Sequence, residues 1–501
     1  MNVQMFNTRC LSVVLLASAL QLNHTAAIAV NGATGQLFSG ERFRRYSEPA
    51  SSCPVRDDGA VNGGLHGLIS LSTLAGQACT CWAVVTTING MTAAMQAPVK
   101  YHPSWCVVVV ADVGSPHAMP PSPRLQYLTL DLQAALAQRS CFVAALPWRH
   151  YARKNVGYLW ALLHNASCVF DMDDDNELHG PIPWAEALMA GSSVPPNSST
   201  GFRLLLLPQH KGRVLNPYPL FQPSHLPLWP RGFPLAAVKD PEAYASLTAA
   251  RSLRWDAFSN PASAGHGARG VVGVVQILAQ HDPDVDAVYR MTLPLPVTFH
   301  TSAGVRMNHL SLLLLPPRCL APLNAQATLF LQPTLWALLL PASVHGRVTD
   351  IWRGYLAQRL MWEVRGLRTA FASPWVTHVR SSYHISTRGL EKEAGENVPR
   401  SHVADMVAEQ DLYYRAGQLV SFLSSWQCAD VPVRHTTVRV RRRITFTAGQ
   451  QPASLSECVL QLWREMYERG YIEEQDVRLA QLWLLQLQQI AGYTLPARAS
   501  L

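Results

Sequence analysis

Apolar runs that stop abruptly at polar residues recur through the first two hundred positions. Trp82-Ala-Val-Val-Thr-Thr-Ile88 is ended by Asn89-Gly90, Trp105-Cys-Val-Val-Val-Val-Ala111 stops at Asp112, and Cys168-Val-Phe170 runs into Asp171-Met-Asp-Asp-Asp-Asn176. Continuous apolar strands separated by helical segments mark a parallel sheet covered on both faces. Between these strands the spacing predicts a helix around Met91, Ala94 and Met95, a helix over 130–138, a strand over 141–146 and a helix over 155–164. Further strands are expected over 202–208 and 271–280. Asp350 stands where a helix opens, as an N-terminal carboxylate. Beyond a polar stretch at 381–400, periodic Leu and Trp predict helices over 403–426 and 455–490, separated by an alternating basic strand at 434–443. The fold class is therefore α/β, a nucleotide-binding sheet with a mainly helical C-terminal part.

In open α/β sheets ligands sit beyond the carboxyl ends of the strands, where Thr86, Thr87, Asn89, Asp112 and Asp171 to Asp175 all fall. In extended backbone Asp171, Asp173 and Asp175 share one face and Asp174 takes the other. A strand that stops in same-face carboxylates suits a hard cation, since Mg²⁺ and Mn²⁺ take one or two carboxylates plus the phosphates of a substrate. The plainer reading is a solvated acidic turn, because Asp and Asn favour turns. An EF-hand is excluded: counting from Asp171, Asn176 and Ile182 stand where Gly and Glu are needed. In Pro147-Trp-Arg-His-Tyr-Ala-Arg-Lys-Asn155, Asn155 is a fair N-cap, and Arg153 and Lys154 lie just ahead of a helix N-terminus. Such a place seats a phosphate, or else holds ordinary loop charges. A second acidic turn, His281-Asp-Pro-Asp-Val-Asp286, reads as a solvated loop because of Pro283 and its spacing.

Composition changes the picture modestly. With 501 residues, 48% hydrophobic and 15% charged, the chain is globular and long enough for more than one domain. The net charge of +8 is mostly scattered, so no nucleic-acid partner is expected. Arg9, the apolar run 11–20 and Ala27-Ile-Ala29 make 1–29 a secretory signal peptide or short signal anchor, and the Gly, Ser and Arg of 30–80 read as a stem. No later stretch reaches the roughly 18 apolar residues of a membrane span. Of ten cysteines, nine lie beyond the signal, so at least one is free or bonded between molecules. Cys79, Cys81, Cys428 and Cys458 are candidate disulfide partners, while Cys106, Cys141 and Cys168, in apolar runs, read as buried free thiols.

Together, Trp82-Ala-Val-Val-Thr-Thr-Ile-Asn89, Gly157-Tyr-Leu159 behind Arg-Lys-Asn, Phe170-Asp-Met-Asp-Asp-Asp-Asn176, Trp229-Pro-Arg-Gly-Phe-Pro-Leu235, His281-Asp-Pro-Asp-Val-Asp-Ala-Val-Tyr-Arg290 and Asp350-Ile-Trp-Arg-Gly-Tyr355 resemble the STELLO glycosyltransferase family. Glu409-Gln-Asp-Leu-Tyr413 and Glu474-Gln-Asp-Val-Arg478 are similar to its later segments. The resemblance implies a GT-A-like domain over 81–380 using a nucleotide-sugar donor, a helical region over 381–501, and a Golgi protein acting on a glycan or glycoprotein acceptor. Plant members are associated with cellulose synthase assembly, so it also implies an alternative, a catalytically silent scaffold for other glycan synthases. They look like long type II membrane proteins, whereas the apolar run here is short.

On the enzymatic reading Mn²⁺ or Mg²⁺ is held by Asp173, Asp174 and Asp175 and neutralises the leaving diphosphate, helped by Arg153 and Lys154. Thr86, Thr87 and Asn89 face the nucleoside, and Asp112 takes ribose or base contacts or simply caps its strand. A carboxylate from another segment takes the acceptor's proton. Asp350 is the first candidate, with Trp352 and Tyr355 as an aromatic platform and Arg353 as a cation, and its alternative is a helix cap. Asp286 of the second acidic turn is the other candidate.

Overall fold

The computed structural model describes residues 74, 78–190, 202–254, 271–300, 311–379, 402–434 and 448–499. The signal or anchor at 1–29, almost all of the stem and the polar stretch 381–400 lie outside them, as does the basic strand beyond Arg434. The chain opens with β1 (Cys81–Thr87), α1 (Ala93–Tyr101), β2 (Cys106–Ala111), β3 (Leu125–Leu128), α2 (Leu130–Ala137) and α3 (Cys141–Ala145). A 3-10 turn, Tyr151–Lys154, leads into α4 (Asn155–Leu163), followed by β4 (Cys168–Met172), β5 (Asn176–Leu178), α5 (Ala185–Ala190), β6 (Arg203–Leu206), β7 (Arg251–Arg254) and β8 (Val271–Gln280). Then come α6 (Ala287–Thr292), β9 (Ser311–Leu314), β10 (Ala327–Leu331), α7 (Gly346–Met361) and β11 (Leu367–His378). The C-terminal part holds α8 (His402–Ala408), α9 (Gln410–Ser425), a hairpin of β12 (Val431–Arg434) and β13 (Ala448–Gln451), α10 (Leu455–Glu468) and α11 (Glu474–Gln488).

The α/β class holds. One mixed sheet runs in the order β3-β2-β1-β4-β10-β8-β11-β9-β6-β7, with β5 paired onto β11. The first four strands are parallel; β10 is antiparallel to both β4 and β8, so β8 and its parallel neighbour β11 again run with β1. Alternate side chains of β1 enter different cores: Trp82 and Val84 pack on the α4 side, and Ala83 and Val85 pack opposite with Met95 and Trp105. That two-sided burial is why the strand reads as a continuous apolar run. Gly157 sets how closely α4 lies on the sheet. A Cβ there would stand 2.6 Å from Val84 Cγ1 and 2.8 Å from Val110 Cγ2, so any larger residue would push the helix off.

Several expectations need correction. The strand expected at 141–146 is the short helix α3, capped by Ser140, whose hydroxyl accepts from Val143 N. A brief apolar run cannot distinguish a buried helical turn from a strand, and the place beside β2 is taken by β3. The cysteines read as free thiols are cross-linked: Cys106 to Cys79 and Cys168 to Cys81, while Cys141 is also disulfide-bonded. Apolar neighbours marked them as strand residues but carried no information about which thiol lay opposite. Cys428 pairs with Cys458, and Cys319, buried, is the free cysteine among the described residues. The helix at Asp350 begins four residues earlier, at Gly346. Among the described residues no helix is long and apolar enough to cross a membrane.

Candidate active site at the carboxyl edge of the sheet

Because β1, β2, β4, β8 and β11 run the same way, their carboxyl ends share one edge of the sheet, which gathers Thr87, Asp112, Asp173 to Asp175, Asp282 and His378. The Asp turn lies at its centre, and its three carboxylates diverge. Asp174, 8% exposed, turns to β1, where its Oδ2 accepts from the Thr87 hydroxyl and, at 2.9 Å, from Asn89 Nδ2. Its carbonyl accepts from Thr92 Oγ1 at 2.6 Å, which fixes the turn to the cap of α1. Thr86 donates to Val110 O of the neighbouring strand at 3.2 Å. The structure therefore brings Thr87 and Asn89 together with Asp174, and engages their polar groups in holding it.

Asp173 turns the other way. Its Oδ1 accepts from Tyr151 Oη at 2.6 Å and lies 3.3 Å from Lys154 Nζ, while the side chain stays 27% exposed. Its pKa is raised to about 7: enclosure by protein is the first cause and the charges of Asp175 and Asp171 add to it, with Lys154 and the Tyr151 hydroxyl opposing. Asp175 faces β11, accepting from Asn176 Nδ2 at 2.9 Å and from His378 Nε2 at 3.0 Å. The other ring nitrogen of His378 lies 3.4 Å from Asp282 Oδ2, so one imidazole bridges the two acidic turns. Burial disfavours the charge on His378, but the hydrogen bonds and charges of Asp175 and Asp282 outweigh it and raise its pKa to about 9.

Other expected site residues have different work. Lys154 and Arg153 are no phosphate seat. Lys154 is fully buried, with Nζ 2.7 Å from both Asp171 Oδ1 and Met172 O. Arg153, 1% exposed, donates to Gln133 Oε1 at 2.7 Å and to the carbonyl of Leu146 at 3.0 Å, and its burial lowers its pKa to about 9. The anion in that loop is the protein's own: the Asp112 carboxylate accepts from Val113 N, Arg149 N and His150 N at 2.7, 2.8 and 3.0 Å. Asn155 does not cap α4; its side-chain amide is bonded both ways to the backbone of Leu340.

The two proposed bases are buried in charge pairs and caps. Asp350, 4% exposed, lies inside α7, bound through Oδ2 to Arg231 Nη2 at 2.8 Å and to Ala325 N at 3.1 Å. Arg231 also binds Asp284 at 2.8 Å, so the second acidic turn is no solvated loop. Asp286, 1% exposed, caps α6 by accepting from Tyr289 N at 2.8 Å and takes the indole N–H of Trp229 at 2.7 Å; burial raises its pKa to about 7. Trp352, Arg353 and Tyr355 form no platform: each is at most 1% exposed, and Arg353 binds Asp171 at 2.8 Å. The site also uses His378 and Tyr151, which the sequence pattern did not single out, and Asp282, which it placed in a solvated turn; Arg231, equally unmarked, serves the buried pairs beside it. Asp282 and Arg231 stand inside the family-like motifs and Tyr151 in the loop before α4, whereas His378 ends a strand interrupted by Pro374, where the register shifts between Ala372 and Val376.

Two carboxylates, Asp173 and Asp175, thus remain at the open edge and repel each other. Among the described residues no three His, Cys, Asp or Glu side chains converge as a closed metal cage. Mg²⁺ and Mn²⁺ at a nucleotide site do not need one, because phosphates and water complete their shell.

No family model matches the sequence. Two relatives from Arabidopsis thaliana do: "Probable glycosyltransferase STELLO1" is 27% identical and "Probable glycosyltransferase STELLO2" 28% identical, each over 437 residues. Each likeness covers 84% of this chain and 46% of the relative, so the chain spans about half the length of these curated relatives. The likeness to both relatives is sustained over most of this chain, which is thus similar to the STELLO glycosyltransferases of Arabidopsis thaliana.

Proposed function

We propose that this chain is a GT-A-like glycosyltransferase of the secretory pathway, moving a sugar from a nucleotide-sugar donor to a glycan or glycoprotein acceptor with Mn²⁺ or Mg²⁺. The observation that carries the reading is the pair Asp173 and Asp175, held at the carboxyl edge of parallel strands where the sheet class binds nucleotides. Their mutual repulsion and the exposure of Asp173 fit a cation shared with donor phosphates, and these two residues would hold it. The ion would supply Lewis-acid stabilisation of the departing diphosphate. The protein's own part is positioning: Asp174 anchors the turn to β1, Tyr151 and Lys154 orient Asp173, and His378 orients Asp175. Titration calorimetry of the purified chain with a panel of nucleotide sugars tests this; at least one should bind with Mn²⁺ and lose affinity when a chelator is added.

One observation favours a second reading, a catalytically silent scaffold for other glycan synthases. Lys154 and His378 already place protein cations beside Asp173 and Asp175. That reading requires that no nucleotide sugar binds, with or without the metal.

A further inference from the structure

A shallow, open groove of about 820 Å³ lies on the C-terminal helices, lined mostly by exposed residues. Its floor is one face of α9, where Gly417, Ser421 and Ser425 recur at four-residue spacing over about 12 Å. Arg213 and Arg469 line the same groove. The backbone of each is fixed. The carbonyl of Arg213 accepts from Leu320 N at 3.0 Å, beside the bridge Val214 to Leu320. Arg469 caps α10 ahead of Gly470, whose φ is +71°, and Tyr471 N closes the turn on Met466 O at 2.9 Å. Arg415 crosses from α9 to the carbonyl of Gly470 and ties the two walls together.

The lining is cationic and rich in hydrogen-bonding groups. No carboxylate lines the groove, and among the described residues the side chains of Arg213, Gln418 and Ser421 make no hydrogen bond or ion pair. Arg469 has only a distant acidic neighbour, Glu465 at 3.9 Å, and both are well exposed, so water screens the pair. Aromatic faces are closed: Tyr471 is 7% exposed, and the Arg469 guanidinium covers Phe422 at 4.1 Å. A nucleobase therefore has no ring to stack on. A peptide has neither a free strand edge nor apolar pockets for anchors.

We propose that this groove binds an acidic saccharide. The guanidinium forks of Arg213 and Arg469 take the carboxylate or sulfate groups, and Gln418, Ser421 and Ser425 meet the hydroxyls. The groove shares no residue with the Asp173 edge and needs neither donor nor metal. Calorimetry of the full chain, without nucleotide or metal, is run with oligogalacturonate, a sulfated oligosaccharide, neutral cello-oligosaccharide and polyglutamate. The expected result is binding of one or both acidic saccharides, weakened by salt, weakened at least tenfold in both Arg213→Gln and Arg469→Gln, and unchanged in Arg251→Gln on β7. The arm that binds tells carboxylate from sulfate. Equal binding of the neutral saccharide, stronger binding of polyglutamate, no binding, or wild-type affinity in either groove variant overturns the proposal. Since no donor is present, none of these outcomes bears on glycosyl transfer.

Discussion

Acids of the same kind meet opposite fates in two regions of this molecule. Around α7, Asp171, Asp284 and Asp350 are buried and each lies against a buried cation: Lys154 and Arg353 for the first, Arg231 for the other two. At the carboxyl edge of the sheet, Asp173 and Asp175 also have cations beside them, Lys154 and His378, but they repel each other and Asp173 keeps part of its surface in water. The contrast teaches that a run of acids reveals chemistry only after its internal cations have been assigned. Three residues of α7 spaced by three, Arg347, Asp350 and Arg353, reach Glu409, Arg231 and Asp171, so one helix joins the C-terminal helices, the second acidic turn and the central strand.

The most direct way to break this comparison is Arg231→Met. Removing the cation leaves Asp284 and Asp350 buried without it, and unfolding stability should fall by about 3–5 kcal/mol. A denaturant curve matching wild type would mean that the two acids are not held by charge. Next in size is the double variant Asp173→Asn/Asp175→Asn. Metal-dependent donor affinity should drop by about 10²-fold, while stability changes by only about 1 kcal/mol because the repulsion removed offsets the two pairs lost with it, Lys154 with Asp173 and His378 with Asp175. Retained affinity would place the cation elsewhere.

Asp350→Asn sharpens the boundary between the regions. As a partner of Arg231 it should lower stability by about 1–3 kcal/mol, whereas a proton acceptor would lose turnover at an unchanged melting temperature. The smallest effect concerns pH. Asp286 holds its proton up to about 7 in the fold, against about 4 when unfolded, so the folded state binds more protons between those values. The contribution of Asp286 to stability should therefore decline as pH rises from 4 to 7, and Asp286→Asn should remove that component of the slope. Parallel slopes for the two proteins would show that Asp286 is ionised throughout.

Hydrophobic pattern was enough to locate β1, β2, β4 and β8 and most helices, because a strand or helix buried on both sides must be apolar throughout. It could not locate β11, whose Pro374 interrupts the run, nor decide between strand and helix at α3. Legibility of the site was narrower. The Asp turn stood out through its composition, but the partners that distinguish Asp173 from Asp171 come from Tyr151, Lys154 and Arg353, and the last is 182 residues away in sequence. His378 gave no local signal, since nothing in a strand-ending histidine tells that two aspartates will flank it.

The two bridges at the entry to β1, one to each neighbouring strand, bear on how the protein can be made. Cys79 and Cys81 stand one residue apart, yet the first bonds to Cys106 and the second to Cys168. Four thiols admit three pairings, and only one matches this sheet. A bacterial cytosol keeps thiols reduced and would deliver the central strand without its cross-links. An oxidising host with disulfide exchange is therefore the starting point for measuring donor binding, stability or groove occupancy in this chain.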